Sequence, residues 1–266
     1  MNAPVRYFGS KGGFYNKIIE HFPTTDYDTY VEPYGGTYIV GLMSAQAKVE
    51  IYNDLEQNVY SLYKVISDKE LFKEFKEKCD LVLYCEQLRK DCKDNLNHEN
   101  LSLVDRAFNF FYVNRTSHNG IGGFSMNSHI RRGMSKAVSD FLSSIDRLQE
   151  LHDRLSKVIV TNMDGVKLIN KYNNPKTFLY CDPPYHWSTR TSARYAVDMD
   201  NSKQEEFIDA VIDSKSKILT RVASMVASSL SNNIKTMDDP EVSENIEKII
   251  QLLSKIIEKL PSITYR

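Results

Sequence analysis

Short apolar runs closed off by turn-forming residues recur along the chain: Tyr30-Val31, Val49 to Tyr52, Val158-Ile159-Val160, Phe178 to Cys181 and Lys217 to Thr220. Runs this short, bounded by polar residues, read as buried strands. Between the first two, Thr37 to Ala47 reads as a helix. Asn53-Asp54 then opens the next one, with Asp54 as its N-cap. A β-α-β-α order implies a parallel sheet with helices packed on it. Residues 65 to 150 break the alternation. They begin as one charged helix from about Asp68 to Asp94, with Phe72, Phe75, Cys79, Val82, Cys85, Leu88 and Cys92 on one face. They continue as a stretch rich in Asn, Gly, His and aromatics. An α/β sheet interrupted by an insertion is the simplest organisation.

Composition narrows the class only slightly. At 266 residues the chain can bury a substantial core, and 41% hydrophobic with 26% charged residues is ordinary for a soluble protein. It contains no apolar run long enough to span a bilayer, no signal-like N-terminus and no C-x-x-C pair, so a cytoplasmic protein without a thiol-bound metal is expected. A net charge of −1 does not point to nucleic acid. The distribution does. Arg106 to Ser139 contains no acid but includes Arg106, Arg115, Arg131, Arg132 and Lys136. Pro183 to Val197 is also acid-free and carries Arg190 and Arg194. Segments of one sign favour a local anionic partner over a merely solvated face.

The strand ends carry the chemistry. In "YVEPYGG" (30–36) an acid, Glu32, stands where a strand meets a glycine turn. Glycines let a backbone approach a ligand closely, but an acid there repels phosphate, so a ligand with a cationic part fits better. One β-α unit later Asp54 ends the next strand, where a carboxylate can accept both hydroxyls of a ribose. A ribose-bearing, phosphate-free cation suggests S-adenosylmethionine. In "FLYCDPPY" (178–185) the two prolines stop the strand and fix two φ angles. Asp182 and the Pro183 carbonyl, held rigid by Pro184, can accept the two N–H bonds of an exocyclic amine and localise its lone pair. Tyr185 offers a face on which an extruded base can stack. Carbon-5 methylation of cytosine would call instead for a nucleophilic cysteine, normally after a proline, and no cysteine here follows one.

These stretches together resemble the Dam-type, alpha-group DNA adenine-N(6) methyltransferases. The matching segments are "RYFGSK" (6–11), "VEPYGG" (31–36), "YND" (52–54), "VNRTSHNG" (113–120), "VTNMDG" (160–165) and "CDPPY" (181–185), in the family's order over roughly residues 5 to 220. The resemblance implies a Rossmann-like, S-adenosylmethionine-dependent methyltransferase sheet with an inserted, mostly helical target-recognition region, acting without a metal on double-stranded DNA. It implies that Tyr7 and Lys11 lie near the cofactor's methionine end, with Glu32, Pro33, Gly35 and Gly36 holding the methionyl portion. Asp54 would take the ribose, Asp164 the cofactor's adenine amino group, and Asp182 would border both cofactor and target. Asn114, Arg115, Asn119 and Gly120 fall in the family-like part of the recognition region, with Arg131, Arg132 and Arg190 as further DNA contacts. The implied partition is a catalytic domain at 1–64 and 152–220, a recognition region at 65–151 and an atypical helical tail at 221–266.

Two departures stand against the pattern. Tyr38 occupies a position where relatives usually carry a small residue, and it is expected to crowd the cofactor. After 220 the chain reads unlike the family. Asp239-Pro240 opens a helix whose stripe of Val242, Ile246, Ile249, Ile250, Leu253, Ile256, Ile257 and Leu260 ends at Pro261. This tail either docks on an exposed sheet edge, the preferred reading, or pairs with a second copy to give a homodimer. The departures keep open a decayed relative that binds DNA or S-adenosylmethionine without turnover. Acceptors in RNA or protein amides are a third reading, although such enzymes more often carry Asn where Asp182 stands.

Overall fold

The computed structural model describes residues 3–6, 11, 13–24, 26–120, 122–184 and 198–220. In chain order the elements are α1 (Tyr15–Ile19), β1 (Thr29–Glu32), α2 (Ile39–Met43), β2 (Val49–Asn53), α3 (Gln57–Ser67), α4 (Lys69–Asp80), α5 (Glu86–Asn95) and α6 (Leu103–Thr116). There follow a 3-10 turn at His118–Gly120, β3 (Ile130–Arg131), β4 (Met134–Ser135), α7 (Lys136–Asp146), α8 (Leu148–Leu155), β5 (Ile159–Thr161), α9 (Gly165–Lys171), β6 (Thr177–Cys181), α10 (Asn201–Asp213) and β7 (Lys217–Thr220). A five-stranded sheet runs in the order β5-β2-β1-β6-β7, and β3 and β4 form a separate antiparallel ribbon. The α/β class and the parallel sheet expected from the hydrophobic runs are both present. The tail from 221 onward lies outside the described residues, and so does its proposed docking.

Two compact units emerge, residues 1–22 with 35–163, and residues 23–34 with 164–266, and they cut across the partition drawn from sequence. In the second unit β6 pairs in parallel with β1, Tyr30 opposite Phe178 and Val31 opposite Leu179, and with β7, Leu179 opposite Ile218. Every residue of β6 is buried, as its unbroken apolar run requires of a central parallel strand.

In the first unit β2 pairs in parallel with β5, Ile51 opposite Ile159. Helix α3 buries Val59, Leu62, Tyr63 and Ile66, the i, i+3, i+4, i+7 stripe of an amphipathic helix. Its N-cap is Glu56, whose carboxylate accepts the Asn58 and Val59 amides, so the expected cap at Asp54 is two residues too early. The single helix expected from Asp68 to Asp94 is two helices. The Tyr112 hydroxyl donates to the Leu83 carbonyl and accepts the Cys85 amide, giving the broken backbone tertiary partners in place of helical ones. Cys79 and Cys92 remain buried, but Cys85 falls in the break and is only half-buried. Helix α2 is likewise shorter than expected, because Tyr38 is left-handed at its start and Ser44 is extended at its end.

A buried ion pair ties α8 to β2. Arg154 donates to both carboxylate oxygens of Glu50, at 2.5 and 2.8 Å, and to the Gly41 carbonyl at 2.9 Å. The two side chains are 5% and 3% exposed, so each depends on the other for solvation. Arg154→Ala strands the Glu50 charge and is expected to cost about 3–5 kcal/mol, whereas Glu50→Leu with Arg154→Met costs less than the single change. Urea unfolding of the three proteins checks this, and a single variant no less stable than the double would contradict it.

Candidate active site

Beginning with the second unit, β1 and β6 are neighbours whose C-terminal ends carry acids. In an open α/β sheet a ligand sits beyond those ends, where the strand order reverses. In the order β5-β2-β1-β6-β7 that reversal falls at β1 and β6. Glu32 closes β1, 2% exposed, and accepts the Tyr30 hydroxyl at 2.5 Å. Asp182 and Pro184 follow β6 half-buried, with Pro183 buried between them. The acids act on their neighbours: burial first, then the charges of Asp182 and Glu32, push the Cys181 thiol well above its usual range. Cys181 is a fully buried thiol at the end of β6.

Asp164 caps α9, its Oδ1 accepting the Val166 and Lys167 amides at 3.0 and 3.1 Å. Asp164 thus serves as the N-cap of α9. The other carboxylate oxygen carries no hydrogen bond among the described residues. Sequence reasoning passed over Tyr34. Its ring lies 2.5 Å from where a Cβ at Gly165 would stand, and edge-on to Phe207 at 5.6 Å. Burial, with the charges of Cys181 and Asp164 behind it, raises the Tyr34 hydroxyl above its usual range. Only a residue without a side chain at 165 admits that ring.

The first unit holds the glycine turn. Gly36 adopts φ 49°, and its amide donates to Asp54 Oδ2 at 2.8 Å, while the Gly35 amide donates to the Asn53 carbonyl at 2.8 Å. A Cβ at Gly35 would lie 2.3 Å from the Tyr52 ring. Tyr52 stacks on Tyr63 with centroids 4.3 Å apart. The Tyr52 hydroxyl donates to the Gly36 carbonyl, and the Tyr63 hydroxyl to the Thr37 carbonyl. Tyr38 completes the group, edge-on to Tyr52 at 5.2 Å. It is fully buried at φ 51°, its ring 2.4 Å from where Gly41 would place a Cβ. The left-handed backbone and the room at Gly41 let the Tyr38 ring turn into the core. Asp54 also accepts the Glu56 amide at 2.9 Å. Burial pushes its carboxyl up to about 6 against the pull of these two amides, with the Glu56 charge adding to the rise.

Lys11 is buried, and its carbonyl accepts the Phe14 and Tyr15 amides. Asn114 and Arg115 are turned inward and engaged. Asn114 bonds the Arg6 backbone and the Gly120 carbonyl, and Arg115 donates to the Pro4 and Ala3 carbonyls at 2.5 and 2.6 Å. Burial, then the neighbouring Arg6 and Arg147 charges, pull Arg115 down to about 10. The basic ribbon remains exposed. Arg132 and Gly133, at φ 55° and 73°, form its two-residue turn, and paired positive φ values are the type I′ geometry that suits twisted strands. Arg131 meets Asp140 at 2.5 Å, an acid one residue past the acid-free segment, and Arg132 donates to Ser143 Oγ at 3.0 Å. Tyr7, Tyr185, Arg190 and the side chain of Asn119 lie outside the described residues.

Residues 7–262 match the family described as D12 class N6 adenine-specific DNA methyltransferase. The chain belongs to this family. The match continues beyond residue 220, where the tail reads as atypical by eye. The chain is also similar to the type II methyltransferase M.MjaIII of Methanocaldococcus jannaschii, 23% identical over 205 residues, with 71% of each chain covered. As a D12-class protein it is an adenine-specific DNA methyltransferase and uses S-adenosylmethionine. Within the first unit the donor set fits the hydroxyl-bearing part of such a cofactor: Asp54 follows β2 beside the Gly35-Gly36 turn. Among the described residues no His, Cys, Asp and Glu cluster suited to a metal occurs, and no helix is long and apolar enough to cross a membrane.

The raised Asp54 carboxyl has a consequence for stability. Its folded value, about 6, lies above an unfolded value near 3.9, so the protonated form is favoured on folding. This contribution is complete below about pH 4 and is lost as pH rises through 6. Asp54→Asn lacks the titration and is expected to gain stability relative to wild type between pH 4 and pH 7. Paired urea midpoints across that range check it; a difference that does not change with pH would show that Asp54 ionises normally.

Proposed function

We propose that the chain transfers a methyl group from S-adenosylmethionine to the exocyclic amino group of an adenine flipped out of double-stranded DNA, with Asp182 at the acceptor. The observation that carries the assignment is the fully buried β6 running straight into Asp182 and the buried Pro183, beside Glu32 at the end of β1. A strand that rigid fixes the position of the first residue beyond it. The carboxylate of Asp182 and the Pro183 carbonyl accept the amine's two N–H bonds, which draws its lone pair out of conjugation and toward the sulfonium. When bound, the cofactor would supply an electrophilic methyl: the amine nitrogen bonds to it in line as the carbon–sulfur bond breaks, S-adenosylhomocysteine leaves, and one amine proton passes to Asp182 or solvent. No residue of the chain forms a covalent bond in this scheme, and no metal takes part.

Glu32, Pro33, Gly35 and Gly36, with Tyr7 and Lys11, hold the methionyl end in this reading. Asp54 takes the ribose with the lone pairs its two backbone amides leave over, and Asp164 takes the adenine amino group with Oδ2. Tyr185 stacks on the flipped base. The inward bonds of Asn114 and Arg115 make them supports of the recognition loop; Asn119, Gly120, Arg131, Arg132 and Arg190 are the DNA contacts proposed. The partition at 1–64 with 152–220, 65–151 and 221–266 is retained as a division of roles, as are a cytoplasmic setting and a tail that covers a sheet edge or pairs two copies. Burial of Tyr38 removes one motive for a decayed, non-catalytic protein.

Asp182→Ala is expected to abolish methyl transfer while leaving S-adenosylmethionine affinity within a few-fold of wild type. Single-turnover assays with calorimetry of cofactor binding check it, and a variant that methylates at near the wild-type rate would remove Asp182 from the acceptor role. For the ribbon, Arg131→Ala with Arg132→Ala is expected to lower the slope of log affinity against log salt by roughly 0.9 for each phosphate the variant no longer neutralises. Fluorescence titrations of a labelled duplex at several salt concentrations measure this, and an unchanged slope would mean that both arginines face away from DNA.

A further inference from the structure

The recognition loop and the chain entering the cofactor motif are joined by one buried side chain. Asn114, 5% exposed near the end of α6, accepts the Arg6 amide at 2.8 Å and donates to the Arg6 carbonyl at 2.6 Å. Its amide thus stands in for the partner strand of a two-bond ladder. The same Nδ2 donates to the Gly120 carbonyl at 3.2 Å. Gly120 itself sits against Arg6: at φ +84°, a Cβ there would lie 2.7 Å from Arg6 Cβ and 2.8 Å from the Arg6 carbonyl oxygen. On its far side the loop is held by Arg89, which donates to Ser117 Oγ and to the Gly122 carbonyl at 2.7 Å. Arg115 fixes the other end of the segment through Ala3 and Pro4. The loop cannot shift relative to Arg6 without breaking partly buried hydrogen bonds, and Arg6 adjoins Tyr7 in the sequence stretch that resembles the cofactor motif.

We propose that Asn114 is a positioning residue that couples DNA engagement at the 117–123 loop to cofactor affinity, through the Arg6 backbone. The proposal rests on the functional reading above for which residues meet DNA and cofactor. Coupling of this kind is reciprocal: whatever factor DNA contributes to cofactor binding, cofactor contributes to DNA binding. A link of a few partly buried hydrogen bonds supports a factor of about 5 or more.

The test measures the Kd of S-adenosylhomocysteine by calorimetry with and without a saturating short duplex of randomised sequence, alongside thermal unfolding. In wild type the duplex is expected to tighten binding about 5-fold or more. In Asn114→Ala that factor falls below about 2, and likewise in Gly120→Ala, where the new Cβ forces loop and Arg6 apart while the Asn114 side chain is kept. Asn114→Asp, which keeps the acceptor for the Arg6 amide but loses both donors, falls between. His152→Ala, which removes a ring stacked on Phe72 at 4.3 Å elsewhere in the same unit, lowers the melting temperature but keeps the wild-type factor. A wild-type factor of one overturns the proposal. So do variants that keep the full factor, or a His152→Ala protein that loses it. Wild type that does not bind S-adenosylhomocysteine at all overturns the functional reading first, and the coupling with it.

Discussion

The glycine turn at residues 35 and 36 depends on a stack of tyrosines. Tyr52 occupies the space a side chain at 35 would need, and its hydroxyl holds the Gly36 carbonyl. Tyr63 supports it from below and holds the Thr37 carbonyl, while Tyr38 closes the side. Three aromatic rings thus grip the backbone of three consecutive residues. The Gly36 amide is left facing Asp54, so one rigid turn orients the carboxylate on which the ribose assignment rests. A turn held by packing needs no ligand to keep its shape, and a preformed site binds without the cost of ordering loops.

The electrostatic character follows from where the strands end. Glu32 ends β1, Asp54, Asp164 and Asp182 follow strands of the sheet, and Asp54 and Asp164 receive backbone amides. A carboxylate at a strand end disfavours phosphate and suits a ligand that carries hydroxyl or amino donors. The positive charge lies elsewhere, on the β3–β4 ribbon and its flanks, where an anionic duplex can be met. The separation of signs within a chain of nearly zero net charge reconciles a cationic cofactor with a polyanionic substrate.

Much of this was legible in the residues. Five apolar runs became five strands of the sheet, because a strand of a parallel sheet reads as a short apolar stretch even where, as at Ile159 of β5, it ends up exposed. The acids at strand ends were legible for the same reason, since each stands where such a run stops. What sequence missed is tertiary. The break between α4 and α5 comes from Tyr112, 27 residues beyond Cys85, and no local signal announces it. Tyr38 looked like an obstruction because its left-handed backbone and the room made by Gly41 are invisible in a string of letters. Asn114 and Arg115 looked like DNA contacts because residue type does not show which way a side chain turns. Asp140 was overlooked as the partner of Arg131 because it stands just past the segment in which charges were counted.

That the acceptor is the amino group of adenine is the central claim, and product analysis reads it directly. DNA of mixed sequence is incubated with the protein and methyl-labelled S-adenosylmethionine, digested to nucleosides and resolved. The label is expected in N6-methyldeoxyadenosine; label recovered in methylated cytosine, in RNA or in protein, or none transferred, would contradict the claim.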